Sequence, residues 1–105
     1  MKTVITSRGN NKKSEFDQRF GRAGWFCLWD DESGRISFIR NEQAEAAGGA
    51  GVKAAEKMVE LGVRKVISGD FGPKAKDLLE KFNIQMVIID DNNQLIKEII
   101  SRINN

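Results

Sequence analysis

The second half of the chain carries one pattern twice: an amphipathic helical stretch, a short link and an apolar run of strand length. Val52, Ala55, Met58 and Val59 recur at helical spacing, Gly62 stops that helix, and Arg64–Ser68 reads as a short strand. Pro73 then stands at a first helical position, and Ala75, Leu78, Leu79 and Phe82 form the apolar face of a second helix. Ile84–Ile89 is a nearly continuous apolar strand, the composition expected when both faces are covered. Successive strand–helix–strand units demand parallel strands joined by right-handed crossovers. A final stripe, Leu95, Ile96, Ile99, Ile100 and Ile103, predicts a third helix, with Asp91, Asn92 or Asn93 as its cap.

The first half asks for a different pairing. Thr3–Thr6 is β-branched and reads as a strand. Trp25–Trp29 is a buried-strand run, Asp30–Gly34 a turn, and Arg35–Arg40 an alternating strand with Ile36 and Phe38 on one face, which together predict an antiparallel hairpin. The predicted order is therefore β-β-β-α-β-α-β-α, an α/β fold with a five-stranded mixed sheet and helices on both faces. A length of 105 residues fits a single domain spanning 1–105. Ser7–Gly24 is a long polar connection, of the kind that is either functional or mobile.

Composition removes whole classes of chemistry. The chain has no histidine, which excludes an imidazole base, an imidazole metal ligand and any Ser-His-Asp or Cys-His arrangement. Its one cysteine, Cys27, excludes an intrachain disulfide and suggests a reducing, cytoplasmic setting. No apolar run approaches the roughly 20 residues of a membrane helix. Met1–Thr6 is too short for the apolar part of a signal peptide. Two-metal nuclease chemistry is disfavoured as well: Thr3–Thr6 holds no acid, and Asp30, Asp31, Asp90 and Asp91 sit at predicted turns and strand ends.

What remains suits negative charge. Residues 1–24 carry six basic against two acidic side chains, within a net charge of +2 for the whole. That local excess favours an anionic partner, although six charges also fit an ordinary solvated loop. Gly48-Gly49-Ala50-Gly51 opens the first helix, where unpaired N–H groups can meet an anion closely; a flexible glycine entry into a helix explains it equally. The loose G-x-G-x-x-A at 49–54 lacks the strand that should directly precede a dinucleotide turn. Arg19-Phe20-Gly21-Arg22-Ala23 could grip an oxyanion with two guanidinium groups, or be a loop anchored by Phe20. Gly69-Asp70-Phe71-Gly72-Pro73 is a second glycine turn into a helix, for which plain turn chemistry is the simpler account. Cys27, mid-strand between Phe26 and Leu28, reads as a small core hydrophobe, or as the chain's one soft metal ligand besides methionine if it faces the glycine loop.

Taken in order, Arg19-Phe20-Gly21-Arg22-Ala23, Gly49-Ala50-Gly51, Leu61-Gly62-Val63, Val66-Ile67-Ser68-Gly69 and Gly72-Pro73-Lys74-Ala75 resemble the dinitrogenase iron–molybdenum cofactor-binding family. The resemblance runs from the first strand to about Ile89. It implies a ribonuclease H-like three-layer fold and binding of an iron–molybdenum or other metal–sulfur cluster during cofactor assembly or delivery. Cofactor contacts then fall to Arg19, Phe20, Gly21, Arg22, Gly48, Gly49 and Gly51, with Cys27 as the metal-ligand candidate. Family members often carry histidine where Arg19 and Gly48 stand here, so imidazole ligation is lost in this chain.

The expectation is thus a non-catalytic binding or carrier protein for an anionic cofactor or oxyanion, with a cofactor-assembly protein as partner. A homodimeric or protein–protein interaction module with a degenerate site is the alternative, favoured if Trp25 or Trp29 is exposed. Nucleic acid ranks last, for want of aromatic residues beside the basic ones.

Overall fold

The computed structural model describes residues 1–91 and 93–103. Its strands are β1 (Lys2–Ser7), β2 (Trp25–Asp30), β3 (Ile36–Arg40), β4 (Lys65–Ser68) and β5 (Gln85–Ile88), and its helices are α1 (Ala50–Leu61), α2 (Pro73–Lys81) and α3 (Ile96–Ile103). They form one five-stranded sheet in the order β3-β2-β1-β4-β5. β2 runs antiparallel to both β1 and β3, while β4 is parallel to β1 and β5 parallel to β4. The hairpin and the two crossovers thus meet on β1, the central strand. No helix among the described residues is long and apolar enough to cross a membrane.

Alternation along the strands sends side chains to two separate cores. Val4, Phe26 and Val66 pack with Ala54, Ala55, Met58, Ala75 and Leu79 of α1 and α2. On the opposite face Ile5, Cys27 and Ile67 pack with Ile96 and Ile99 of α3. β1 is buried on both faces, which accounts for its run of buried residues from Thr3 to Ser7. The buried Thr6 hydroxyl donates to the Asp17 carbonyl and shares a hydrogen bond with the Ser68 hydroxyl at 2.7 Å.

Two local expectations change. β5 is an edge strand and is not covered throughout: Ile88 is 68% exposed, because a neighbour flanks β5 on one side only. Among the described residues, neither Asp91 nor Asn93 caps the third helix. Asp91 Oδ1 accepts from the Asn93 N–H at 2.9 Å, closing a turn, whereas Glu98 Oε1 accepts from the Leu95 N–H at 2.8 Å and serves the start of α3. Asn92 lies outside the described residues.

The long connection between β1 and β2 is fastened along its length. Phe16 and Phe20 are fully buried, one in each core. The Phe16 N–H donates to the Gln94 carbonyl at 2.8 Å, and the Ile96 and Lys97 N–H groups donate to Ser14 and Lys12 carbonyls. Phe16→Ala is expected to cost about 3–5 kcal/mol of unfolding free energy, as for a large core deletion. Urea denaturation would show this, and a loss under about 0.5 kcal/mol, typical of surface positions, would mean the segment is not anchored as described.

Candidate functional site

The anchored connection crosses the carboxyl ends of β1 and β4 and ends against α1. Gly69 and Asp70 N–H groups both donate to the Gln18 carbonyl, and the Phe20 N–H donates to the Asp70 carbonyl at 3.1 Å. Gly21 then lies directly on the start of α1: a Cβ there would sit 2.6 Å from the Gly51 nitrogen and 2.7 Å from its Cα. Buried Asn41 fixes this stretch from the other side, its Nδ2 donating to the Gly21 and Ala23 carbonyls at 3.0 and 2.8 Å. Phe20 anchors it below, packed against Phe26 and Phe71.

An open cleft of about 410 Å³ results, walled by Arg19–Arg22, by Gly49–Val52 at the start of α1 and by Asp70–Ala75 at the start of α2. Both helices begin on a glycine with positive φ, Gly49 at 72° and Gly72 at 77°, backbone conformations that side chains disfavour. Neither glycine supplies a side-chain cap. The first intrahelical bonds run from Lys53 to the Gly49 carbonyl and from Lys76 to the Gly72 carbonyl, both at 3.0 Å. Among the described residues, the N–H groups of Ala50, Gly51, Val52, Lys74 and Ala75 find no acceptor. They belong to the first turns, where an α-helix leaves its donors unpaired.

Charge follows the same direction. Neither α1 nor α2 has an acidic residue in its first turn, although carboxylates are the usual complement to the positive end of a helix dipole. α3, which starts away from the cleft, has Glu98 in that role. Arg19, Arg22 and Lys74 border the cleft, against the one carboxylate of Asp70.

The two guanidinium groups are held in place by the protein itself. Arg19 Nε and Nη2 donate to the carboxylate of Asp17 at 3.1 and 2.9 Å, and the Arg19 N–H adds a third bond at 3.0 Å. Asp17 is 1% exposed and Arg19 64%, so the pair anchors a buried acid with a solvent-facing base. The Asp17 hydrogen bond, and then its charge, raise the Arg19 pKa further. Arg22 Nη1 donates to the Ala44 and Ala46 carbonyls. Each group is oriented through part of its five-donor fork, leaving other N–H groups to face solvent.

Of the residues singled out in the sequence, the structure brings Arg19, Phe20, Gly21, Arg22, Gly49 and Gly51 to one cleft. Gly48 does not line it; the chain turns into the helix one residue later, at Gly49. Cys27 lies in the core on the α3 face, on the other side of the sheet, and is fully buried. It cannot serve the cleft, and among the described residues no cluster of histidine, cysteine and carboxylate side chains could hold a metal ion. Trp29 is buried too, and Trp25 half-buried, so neither offers an exposed indole. The wall formed by Asp70–Ala75 had a signal, a glycine turn after a parallel strand, but plain turn chemistry accounted for it as well.

The family model for the dinitrogenase iron–molybdenum cofactor domain matches residues 1–105. The chain belongs to that family. Among solved structures, the apo form of the orange protein from Desulfovibrio gigas is similar at 25% identity and a TM-score of 0.89, over 98% of this chain and 86% of that one. A NifB-like protein from Thermotoga is similar at 27% identity and a TM-score of 0.82, again over 98% and 86%. No match is found among curated proteins.

Burial pushes the Cys27 thiol up from 9.0 to about 12, against a smaller lowering by Lys12. The folded chain therefore keeps the thiol neutral where the unfolded chain would ionise it. Its contribution to stability is complete below pH 9.0 and is lost as pH rises towards about 12. Cys27→Ala should flatten that alkaline fall in a pH series of urea denaturations; an identical fall in both proteins would assign it to other groups.

Proposed function

We propose that this protein binds and carries an anionic metal–sulfur group of the iron–molybdenum type and catalyses no reaction on it. The observation that supports this most directly is the pair of helix N-termini, uncapped and free of carboxylates, that open on one cleft between Arg19, Arg22 and Lys74. Five free backbone N–H groups and fixed guanidinium donors suit a dispersed negative charge. Gly51 adds room: a Cβ there would reach into the cleft floor, 3.4 Å from the Ala75 Cβ and 3.6 Å from the Phe71 carbonyl oxygen.

The donor set also states what kind of group fits. With neither thiolate nor imidazole at the cleft, the chain offers hydrogen bonds and charge rather than bonds to a metal. The fitting cargo is a cluster or oxo- or thio-anion whose metal already has its full set of ligands. Membership in the family, and likeness to a protein solved in an apo form, point the same way. Transfer to or from a cofactor-assembly partner completes the reading, and a cytoplasmic location accords with the single cysteine. The ribonuclease H-like assignment implied by the resemblance belongs to it as well, supported by a mixed sheet in which β2 alone runs against the rest. The interaction-module alternative keeps one observation, exposed Ile88 on edge strand β5, and a sizing column would detect a dimer.

Arg19→Ala is a poor test, because it would strand the buried carboxylate of Asp17 and so disturb the fold. Gly51→Ala separates site from scaffold. Its new Cβ meets only ordinary contacts and gains helix propensity, so stability should hold or rise by up to about 0.5–1 kcal/mol. Binding of molybdate and tetrathiomolybdate, followed by titration calorimetry, should weaken about tenfold or more, comparable to losing one charge-assisted hydrogen bond. Equal affinity in both proteins, or a wild-type chain that binds neither anion and is purified anaerobically without bound metal, would overturn the proposal.

A further inference from the structure

Arg19 and Arg22 border a second concavity. A wider groove of about 730 Å³ is lined by Arg8, Asp17, Arg19, Arg22, Gly24, Ala44 and Glu45. It lies beside the cleft, and the same two arginines form the wall between them. Arg8 follows the end of β1, its backbone held by the Glu15 carbonyl at 2.9 Å. Its side chain is exposed, and among the described residues its guanidinium has neither a hydrogen-bond acceptor nor an ion-pair partner. Asp17 and Arg19 form one ion pair and cancel in charge, which leaves Arg8 and Arg22 as the groove's unneutralised guanidinium groups, while Arg19 still presents N–H groups beyond the pair. The remaining acid is Glu45, on the turn that Arg22 holds through the Ala44 and Ala46 carbonyls.

We propose that this groove docks an acidic segment of a partner protein, and that docking weakens the hold of the neighbouring cleft on its anion. The coupling rests on the cargo reading of the cleft; the docking does not. Carboxylates match the planar fork of arginine, and three guanidinium groups line one concave surface. A nucleic acid fits less well, because no aromatic side chain lines the groove to stack a base and its cations are few. Carboxylates that engage Arg19 and Arg22 from the groove side draw on the N–H groups and positive charge available to an anion in the cleft. The two ligands are therefore antagonists, and by linkage each weakens the other by the same factor. A loaded carrier would thus meet an acidic partner and give up its cargo in one equilibrium.

Hexaglutamate serves as the probe for the groove, and tetrathiomolybdate for the cleft. Arg8→Glu reverses charge in the groove alone, since Arg8 does not line the cleft. Lys81→Glu makes the same change in net charge at the far end of α2. Hexaglutamate should bind the wild-type chain and Lys81→Glu with similar affinity, and Arg8→Glu about tenfold or more weakly, an effect that added salt diminishes. Saturating hexaglutamate should weaken tetrathiomolybdate binding to the wild type about fivefold or more, and much less in Arg8→Glu. Equal losses in the two charge reversals would reduce the docking to general electrostatics and overturn it. Independent binding of the two probes would overturn the coupling. Selective loss of hexaglutamate in Arg8→Glu, in a chain that never binds tetrathiomolybdate, would sustain the docking and sink the cargo reading with its coupling.

Discussion

The contact between Gly21 and the backbone of Gly51 is the constraint on which the rest of the site depends. A hydrogen atom in place of a side chain lets the segment after β1 lie flat on the first turn of α1, whose Gly51 nitrogen would stand only 2.6 Å from a Gly21 Cβ. The same segment is tied to the end of β4 through Gln18 and Asp70. It therefore spans the carboxyl ends of two adjacent parallel strands, β1 and β4, and meets α1 and α2 where they begin. Ligand sites in open α/β sheets gather at that end of the sheet, because the crossovers leave the helix N-termini there. In this fold the hairpin topology adds a third wall, since the link into β2 must cross the same ground.

Much of this was legible in the residues. The 3.6-residue spacing of Val52, Ala55, Met58 and Val59 and the β-branched run Thr3–Thr6 identified elements whose type the structure bears out, with ends shifted by a residue or two. The mixed sheet followed from a hairpin in one half and crossovers in the other. The placement of Arg19–Arg22 beside Gly49 and Gly51 followed from the family's motifs and from the chemistry of helix N-termini. What stayed hidden was aperiodic. Phe16 and Asp17 are isolated anchors in a polar stretch, and their partners lie up to about 80 positions away, as with the Phe16 bond to Gln94. No pattern within a short window reveals such bonds. That Gly49 lines the cleft and Gly48 does not depends on where the chain turns into α1, and the exposure of Ile88 depends on which strand ends the sheet.

The absence of histidine and the burial of Cys27 together give the cleft its chemical character. It offers a bare metal ion neither thiolate nor imidazole, and the one thiol of the chain lies beneath α3, neutral and out of reach. Recognition is left to backbone donors and to guanidinium groups already oriented by Asp17 and by the Ala44–Ala46 turn. Such preorganisation reduces the ordering cost of binding. It also explains why arginines that make internal contacts still belong to the site.

A cleft lined mainly by hydrogen-bond donors, with neither thiolate nor imidazole, has a kinetic consequence. On the proposed reading, an anion held that way would leave without breaking any coordination bond to the protein, its inner sphere unchanged. The slow ligand substitution that governs many second-row transition-metal exchanges would not limit unloading. Nor would a vacated cleft tend to fill with adventitious zinc or copper, which seek the soft or imidazole donors this surface lacks.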